Sequence, residues 1–129
     1  MVSVLVVTRY VVPEHGAAEF RDQARTALLT MRSQRGCRAV VVGRSVDDPT
    51  AWTLTMRWTS VGDYRRALSS YDVKVDVVPL LQRAVDEPSA FEELLTWDEQ
   101  QGLVEAEPAL AADAGRVALG EPATPRAPR

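Results

Sequence analysis

The sequence predicts a single α+β domain in which helices cover one face of an antiparallel sheet. Three observations predict it. Runs of β-branched apolar residues alternate with amphipathic stretches in the order β-α-β-β-α-β. The two middle runs are separated only by Asp47-Asp48-Pro49-Thr50, enough for a hairpin and far too short for a parallel crossover. At 129 residues the chain is of one-domain length, able to hold one modest core.

Taken in order, Val2–Val12 is apolar and β-branched and reads as a first strand, ended by Pro13. From Glu14 to about Ser33, Ala17, Phe20, Ala24, Ala27, Leu28 and Met31 recur at helical spacing, with Arg21, Asp22, Arg25 and Arg32 on the other face. Gly36 is the stop. Cys37–Val46 and Ala51–Thr59 read as the second and third strands. In the third, Trp52, Leu54, Met56 and Trp58 point one way and Thr53, Thr55, Arg57 and Thr59 the other. Ser60 then reads as an N-cap with Asp63 in the capping-box position. The helix it opens sets Val61, Tyr64, Ala67, Leu68 and Tyr71 on one side. A second helical piece, about Val75–Val85, is interrupted by Pro79. Ser89–Trp97 supplies the fourth strand, with Phe91, Leu95 and Trp97 on one side.

This order is the ferredoxin-like arrangement. Helices on one face leave the other bare, yet the strands are apolar on both sides: Val4, Leu5, Val6 and Val7, then Val40, Val41 and Val42. The expected cover is a second copy, sheet against sheet, giving a homodimer.

Charge divides the chain. Residues 1–97 carry twelve acids and twelve bases, so the whole net charge of −3 falls on residues 98–129. The expected organisation is therefore a domain over 1–97 and an acidic, Pro-containing, flexible tail over 98–129. GEPATPRAPR is expected to stay unpacked, and Leu103–Leu119 could form a short helix broken near Pro108.

Composition also excludes function classes. Cys37 is the only cysteine and His15 the only histidine, which removes protein-built zinc, iron–sulfur and blue-copper sites and any disulfide within the chain. No metal is expected. Fourteen arginines against one lysine, with no Ile and no Asn, reflect codon bias, and no arginine cluster suggests nucleic acid. No apolar run approaches the ~20 residues of a membrane span, and the N-terminus reads as a strand and not a signal peptide. The expected setting is cytoplasmic, with no membrane partner.

Several residues look familiar together. They are the first strand ending in Pro13 with Gly16 just after it, the Arg-bearing first helix, Met56-Arg57-Trp58-Thr59-Ser60, Tyr64, and the Ser70-Tyr71 turn. Over about residues 2–97 the chain resembles the antibiotic biosynthesis monooxygenase family, most specifically in the Trp-x-Ser-x-x-x-Tyr run from Trp58 to Tyr64. The resemblance implies a dimeric α+β barrel with a pocket between helices and sheet in each subunit. In the monooxygenase branch such pockets oxidise aromatic anthrones or quinols with oxygen and no added cofactor. Haem-degrading relatives place a histidine on the second helical region and an asparagine on the first strand. This chain has no histidine after residue 15 and no asparagine, so no haem is expected.

The candidate catalytic residues are Trp58, where the family sets a pocket-lining tryptophan, Tyr64 and Tyr71 with their hydroxyls, and His15, the one group with a reference pKa near neutrality. The candidate substrate-binding residues are Trp52, Met56, Phe20 and Arg9. Each has a plainer alternative. Trp58 would be core, the tyrosines partly buried with satisfied hydroxyls, Arg9 and Arg57 paired with carboxylates, His15 a surface loop residue and Cys37 an inert thiol. The expected activity is a cofactor-independent monooxygenase-like reaction on a small aromatic, phenolic or quinol compound. The rivals are a non-catalytic dimer binding a small molecule or a protein, and a polyketide aromatase or cyclase.

Overall fold

The structure is a computed structural model that describes residues 2–109. Strand β1 (Val4–Val11) leads through a single 3-10 turn (Glu14–Gly16) into α1 (Ala17–Met31). The hairpin β2 (Cys37–Arg44) and β3 (Ala51–Trp58) follows, then three short helices, α2 (Val61–Leu68), α3 (Tyr71–Asp76) and α4 (Val78–Leu81). Strand β4 (Ala90–Glu92) closes a sheet of order β2-β3-β1-β4, antiparallel throughout. This is the ferredoxin-like order, with β1 between β3 and β4 and the helices on one face. No helix among the described residues is long and apolar enough to cross a membrane.

Alternation decides which face is core. On β3, Trp52, Leu54, Met56 and Trp58 are buried, while Thr53, Thr55 and Arg57 are half-buried on the opposite face. On β1 the buried set is Val4, Val6, Thr8 and Tyr10. Phe20, Ala24, Ala27 and Met31 of α1 and Val73, Val77, Leu80 and Leu81 close over them.

Local chemistry sets the element ends. The Ser60 side chain accepts from the Asp63 amide at 3.1 Å, as the capping pattern requires. Gly36 turns the chain out of α1 at φ +87°, and a Cβ there would collide with the Asp63 side chain. Pro79 lies in the first turn of α4, where its missing N–H costs nothing. A break also falls where continuity was expected. Ser70 accepts from the Val73 amide at 3.4 Å and caps a new helix, so Tyr71 does not continue the α2 stripe.

The fourth strand is shorter than Ser89–Trp97. β4 pairs only as far as Val4↔Glu92, and the Glu93 amide donates to Ser3 beyond the start of β1. With no strand left to pair, the chain turns away. Leu95–Asp98 becomes β5 and pairs with β6 (Gly102–Glu105), around a turn in which Asp98 Oδ1 accepts from the amides of Gln100 and Gln101. The boundary expected after Trp97 therefore falls inside a hairpin, and residues 103–105 are strand and not helix. GEPATPRAPR and the rest of the expected helix lie outside the described residues.

Candidate functional site

The helix-facing side of the sheet is where aromatic rings and polar atoms meet. Tyr10 packs against Phe20 with ring centroids 5.0 Å apart, and Phe20 meets Trp52 edge-on at 5.2 Å. Six residues along β3 from Trp52, or roughly 20 Å, Trp58 packs on Tyr64 with centroids 5.4 Å apart. Trp58 and Tyr64 are fully buried. Three polar atoms here have no hydrogen-bond partner among the protein atoms: Nε1 of Trp52, Nε1 of Trp58 and the hydroxyl of Tyr64. A buried donor left unpaired costs about 1–3 kcal/mol. Two of the three occur on this one tilted pair, which makes that end of the interior a place that favours an acceptor oxygen.

Two further polar groups share the layer. Tyr10 OH and Thr8 Oγ1 lie 3.0 Å apart, and Thr8 Oγ1 donates to the Leu54 carbonyl at 3.2 Å. A threonine hydroxyl has one proton. With it given to Leu54, the Tyr10 hydroxyl must donate to Thr8, so the Tyr10 oxygen turns only lone pairs toward other groups. Burial pushes the Tyr10 phenol up to about 12, and Thr8 moderates the rise because it can turn its proton to the phenolate. Burial likewise raises Tyr64, and the nearby Tyr10 adds to the shift. Both phenols are neutral donors or acceptors at ordinary pH, not bases.

The expected residues divide cleanly by place. Trp58, Tyr64, Trp52, Met56 and Phe20 all lie in this buried layer. Tyr71 is 78% exposed at the start of α3 and stands outside it. His15 is exposed on the 3-10 turn. Arg9 lies on the opposite face of the sheet, where its guanidinium makes a two-point ion pair with Glu87. Arg57 does the same with Glu93 at 2.8 and 3.0 Å. Cys37 is half-buried, and its thiol pKa is raised by that burial. Thr8 and Tyr10 were not singled out from sequence, though one signal exists: they are the only polar residues on the inward parity of an otherwise valine strand.

A shallow depression of about 250 Å³ lies at the hairpin end of the sheet, bordered by Arg9, Tyr10, Val11, Gly43, Trp52 and Thr53, so it abuts the Tyr10–Trp52 end of the aromatic layer. Among the described residues no three His, Cys, Asp or Glu side chains gather to hold a metal.

Residues 3–76 match the model of a family described as antibiotic biosynthesis monooxygenase. No curated protein matches the chain in sequence. Among solved structures, SnoaB, a cofactor-independent oxygenase from Streptomyces nogalater, superimposes with a TM-score of 0.57 at 22% identity, covering 85% of this chain and 98% of its own. Rv0793 from Mycobacterium tuberculosis gives 0.58 at 18% identity, over 77% of this chain and 99% of its own. A conserved protein from Methanosarcina mazei Go1 gives 0.59 at 20%, over 72% and 92%. At these identities the likeness is one of fold.

Proposed function

The chain belongs to the antibiotic biosynthesis monooxygenase family, and from that premise we propose a cofactor-independent monooxygenase acting on a small phenolic or quinol compound between helices and sheet. The observation that carries the proposal is the tilted pair Trp58 and Tyr64, whose Nε1 and hydroxyl are both unpaired and buried on the helix-facing side. A buried N–H and a buried O–H without protein partners suit an oxygen that gains negative charge as the reaction proceeds. Aromatic walls suit a flat substrate.

In such a reaction the substrate supplies every electron. A methylene flanked by phenolic rings loses two hydrogens and gains one oxygen atom as a carbonyl, and the second oxygen atom leaves as water. For a quinol the same exchange gives a hydroxyquinone and water. The protein's part is to bind the substrate, exclude water and hold the anion that forms before oxygen attacks. Among the described residues, the buried layer offers donors and neutral phenols and holds no carboxylate or histidine. The substrate must then be acidic in its own right, a phenol or enol whose anion is conjugated with a carbonyl.

The proposal sets the protein in the cytoplasm as a homodimer closed through the outer sheet face. Oxygen-electrode measurements on a panel of phenols, quinols and anthrones test it. Uptake above the uncatalysed rate with at least one of them supports the oxygenase. Binding without uptake favours the non-catalytic module, and ring closure of a polyketide without uptake favours the cyclase.

A further inference from the structure

Two places in the buried aromatic layer have opposite hydrogen-bonding character. At one, Trp58 Nε1 and the Tyr64 hydroxyl have no protein partner, and an indole N–H can only donate. At the other, Thr8 gives its one proton to the Leu54 carbonyl at 3.2 Å, and Tyr10 gives its own to Thr8 at 3.0 Å. The Tyr10 oxygen keeps lone pairs and has no proton left to give. Thr8 and Tyr10 are both buried, and the Tyr10 ring is held against Phe20 with centroids 5.0 Å apart.

The distance between the two places fits a ring. The register pairs Thr8 with Leu54 and Val4 with Trp58, so four residues of β3, roughly 13 Å, separate the two levels. Two hydrogen bonds of about 2.8 Å each, one at either end, leave the length of one or two fused rings with oxygens at opposite edges. Val6 and Met56, the pair between, are apolar, and an unbranched methionine yields space more readily than a branched side chain. The Tyr64 phenol is raised first by burial and then by Tyr10, so the two hydroxyls act on one another across this gap. Arg83 is the least of the influences on Tyr10, and its guanidinium is turned to Gln23 and the Phe20 ring.

We infer that Thr8 and Tyr10 form an acceptor site for a second hydroxyl of the substrate, selecting quinols that carry a neutral O–H opposite the oxygen held by Trp58 and Tyr64. The inference rests on the phenol or quinol reading above and narrows its substrate class. Donors at the first place favour the anion there. An acceptor without a proton favours the neutral hydroxyl at the second, so the pKa values of the two oxygens are pushed apart. The quinol is then bound as a monoanion in one orientation, ionised beside Trp58 and protonated beside Tyr10. A methyl ether at the second position would set lone pairs against lone pairs.

Two naphthols that differ at that one group test the site. 1,4-Dihydroxynaphthalene and 4-methoxy-1-naphthol are titrated calorimetrically into the full chain without oxygen. The parent is expected to bind the diol at least tenfold more tightly. Tyr10→Phe should bring the two within about threefold, by weakening the diol and not the ether. Thr8→Val should also shrink the preference, because the Tyr10 proton is released and can be given to an ether oxygen. The methyl group is the same in every comparison, so its bulk cancels between parent and variants. Far-UV circular dichroism confirms folding, and either variant decides the question if the other does not fold. A parent that binds both alike or neither, or a preference undiminished in Tyr10→Phe or Thr8→Val, overturns the proposal. Oxygen uptake across the phenol panel is scored separately. Uptake without this preference sinks the acceptor site alone, whereas the preference without uptake upholds the acceptor site and sinks the oxygenase.

Discussion

The Trp58 indole and the Tyr64 phenol pack at 44° with centroids 5.4 Å apart, and neither Nε1 nor the hydroxyl finds a protein partner. Both rings are fully buried, so their polar atoms were taken from water without replacement. Tyr64→Phe removes one orphaned hydroxyl and keeps the packing. The expected change in stability is between zero and a gain of about 1 kcal/mol by urea denaturation, while ligand binding or turnover falls. A loss above about 2 kcal/mol would mean the hydroxyl has a structural partner and is not held for a ligand.

Trp58→Phe tests the neighbouring ring with a different balance. The smaller ring leaves space in a close-packed layer, which costs about 1–3 kcal/mol, partly offset by the loss of an unpaired N–H. A ligand effect beyond that stability loss, read as a change in binding constant at a temperature where the variant is folded, marks Trp58 as a contact. A stability loss alone marks it as core.

Alkaline stability follows from the buried phenols. Tyr10 is raised from 10.0 to about 12, first by burial, so the folded chain keeps a proton that the unfolded chain releases from pH 10 upward. The stability it contributes is complete below pH 10 and drains away as pH rises to about 12. Tyr64 shifts in the same direction and adds to the slope. Denaturant midpoints between pH 9 and 12 should fall for the parent and flatten in Tyr10→Phe. Thr8→Val, which removes the contact that moderates the shift, should steepen the decline.

Gly36 occupies a left-handed position at φ +87°, with the Asp63 side chain in the space a Cβ would need. Gly36→Ala should cost more than about 1 kcal/mol, through both strain and displacement of Asp63. Gly62→Ala provides the control: it lies inside α2 with only Ser60 Oγ near, at 3.8 Å, and should leave stability level or raise it by about 0.5–1 kcal/mol.

Arg57 and Glu93 join the middle of the sheet to the root of the β5–β6 hairpin, with the Glu93 side chain only 8% exposed. Arg57→Met leaves that carboxylate unpaired and should cost about 1–3 kcal/mol. The figure sits below that of a fully buried pair because Arg57 is partly in solvent. Amide exchange should quicken in residues 93–105 more than in β2 or α1.

How much of this could be read in advance depended on the range of the cause. The alternation of Trp52, Leu54, Met56 and Trp58 with Thr53, Thr55 and Arg57 is a period-two signal confined to one strand, and the burial follows it. The Ser60–Asp63 cap and the Gly36 turn are equally local. Tyr71 falls off the stripe that Val61, Tyr64 and Leu68 begin, because the Ser70 cap restarts the helix and resets its phase. The hairpin was hidden because Leu94–Trp97 reads as more strand. What ends β4 is the start of β1 some ninety residues earlier in the chain, though Asp98 and Gly102, at φ +70°, are the residues of a turn. The Thr8–Tyr10 bond depends on which way two hydroxyls lean along one strand, which no pattern of residue types encodes.

In the proposed reaction Trp58 and Tyr64 bind an aromatic anion while molecular oxygen attacks it. Incubation of the protein with the best phenolic or quinol substrate under ¹⁸O₂, followed by mass spectrometry of the product, tests it most directly. One ¹⁸O atom per product molecule is expected at a rate above the uncatalysed reaction, with that rate falling at least tenfold in Tyr64→Phe while the variant stays folded. Product carrying no ¹⁸O, or labelled product formed as fast by Tyr64→Phe as by the parent, would contradict it.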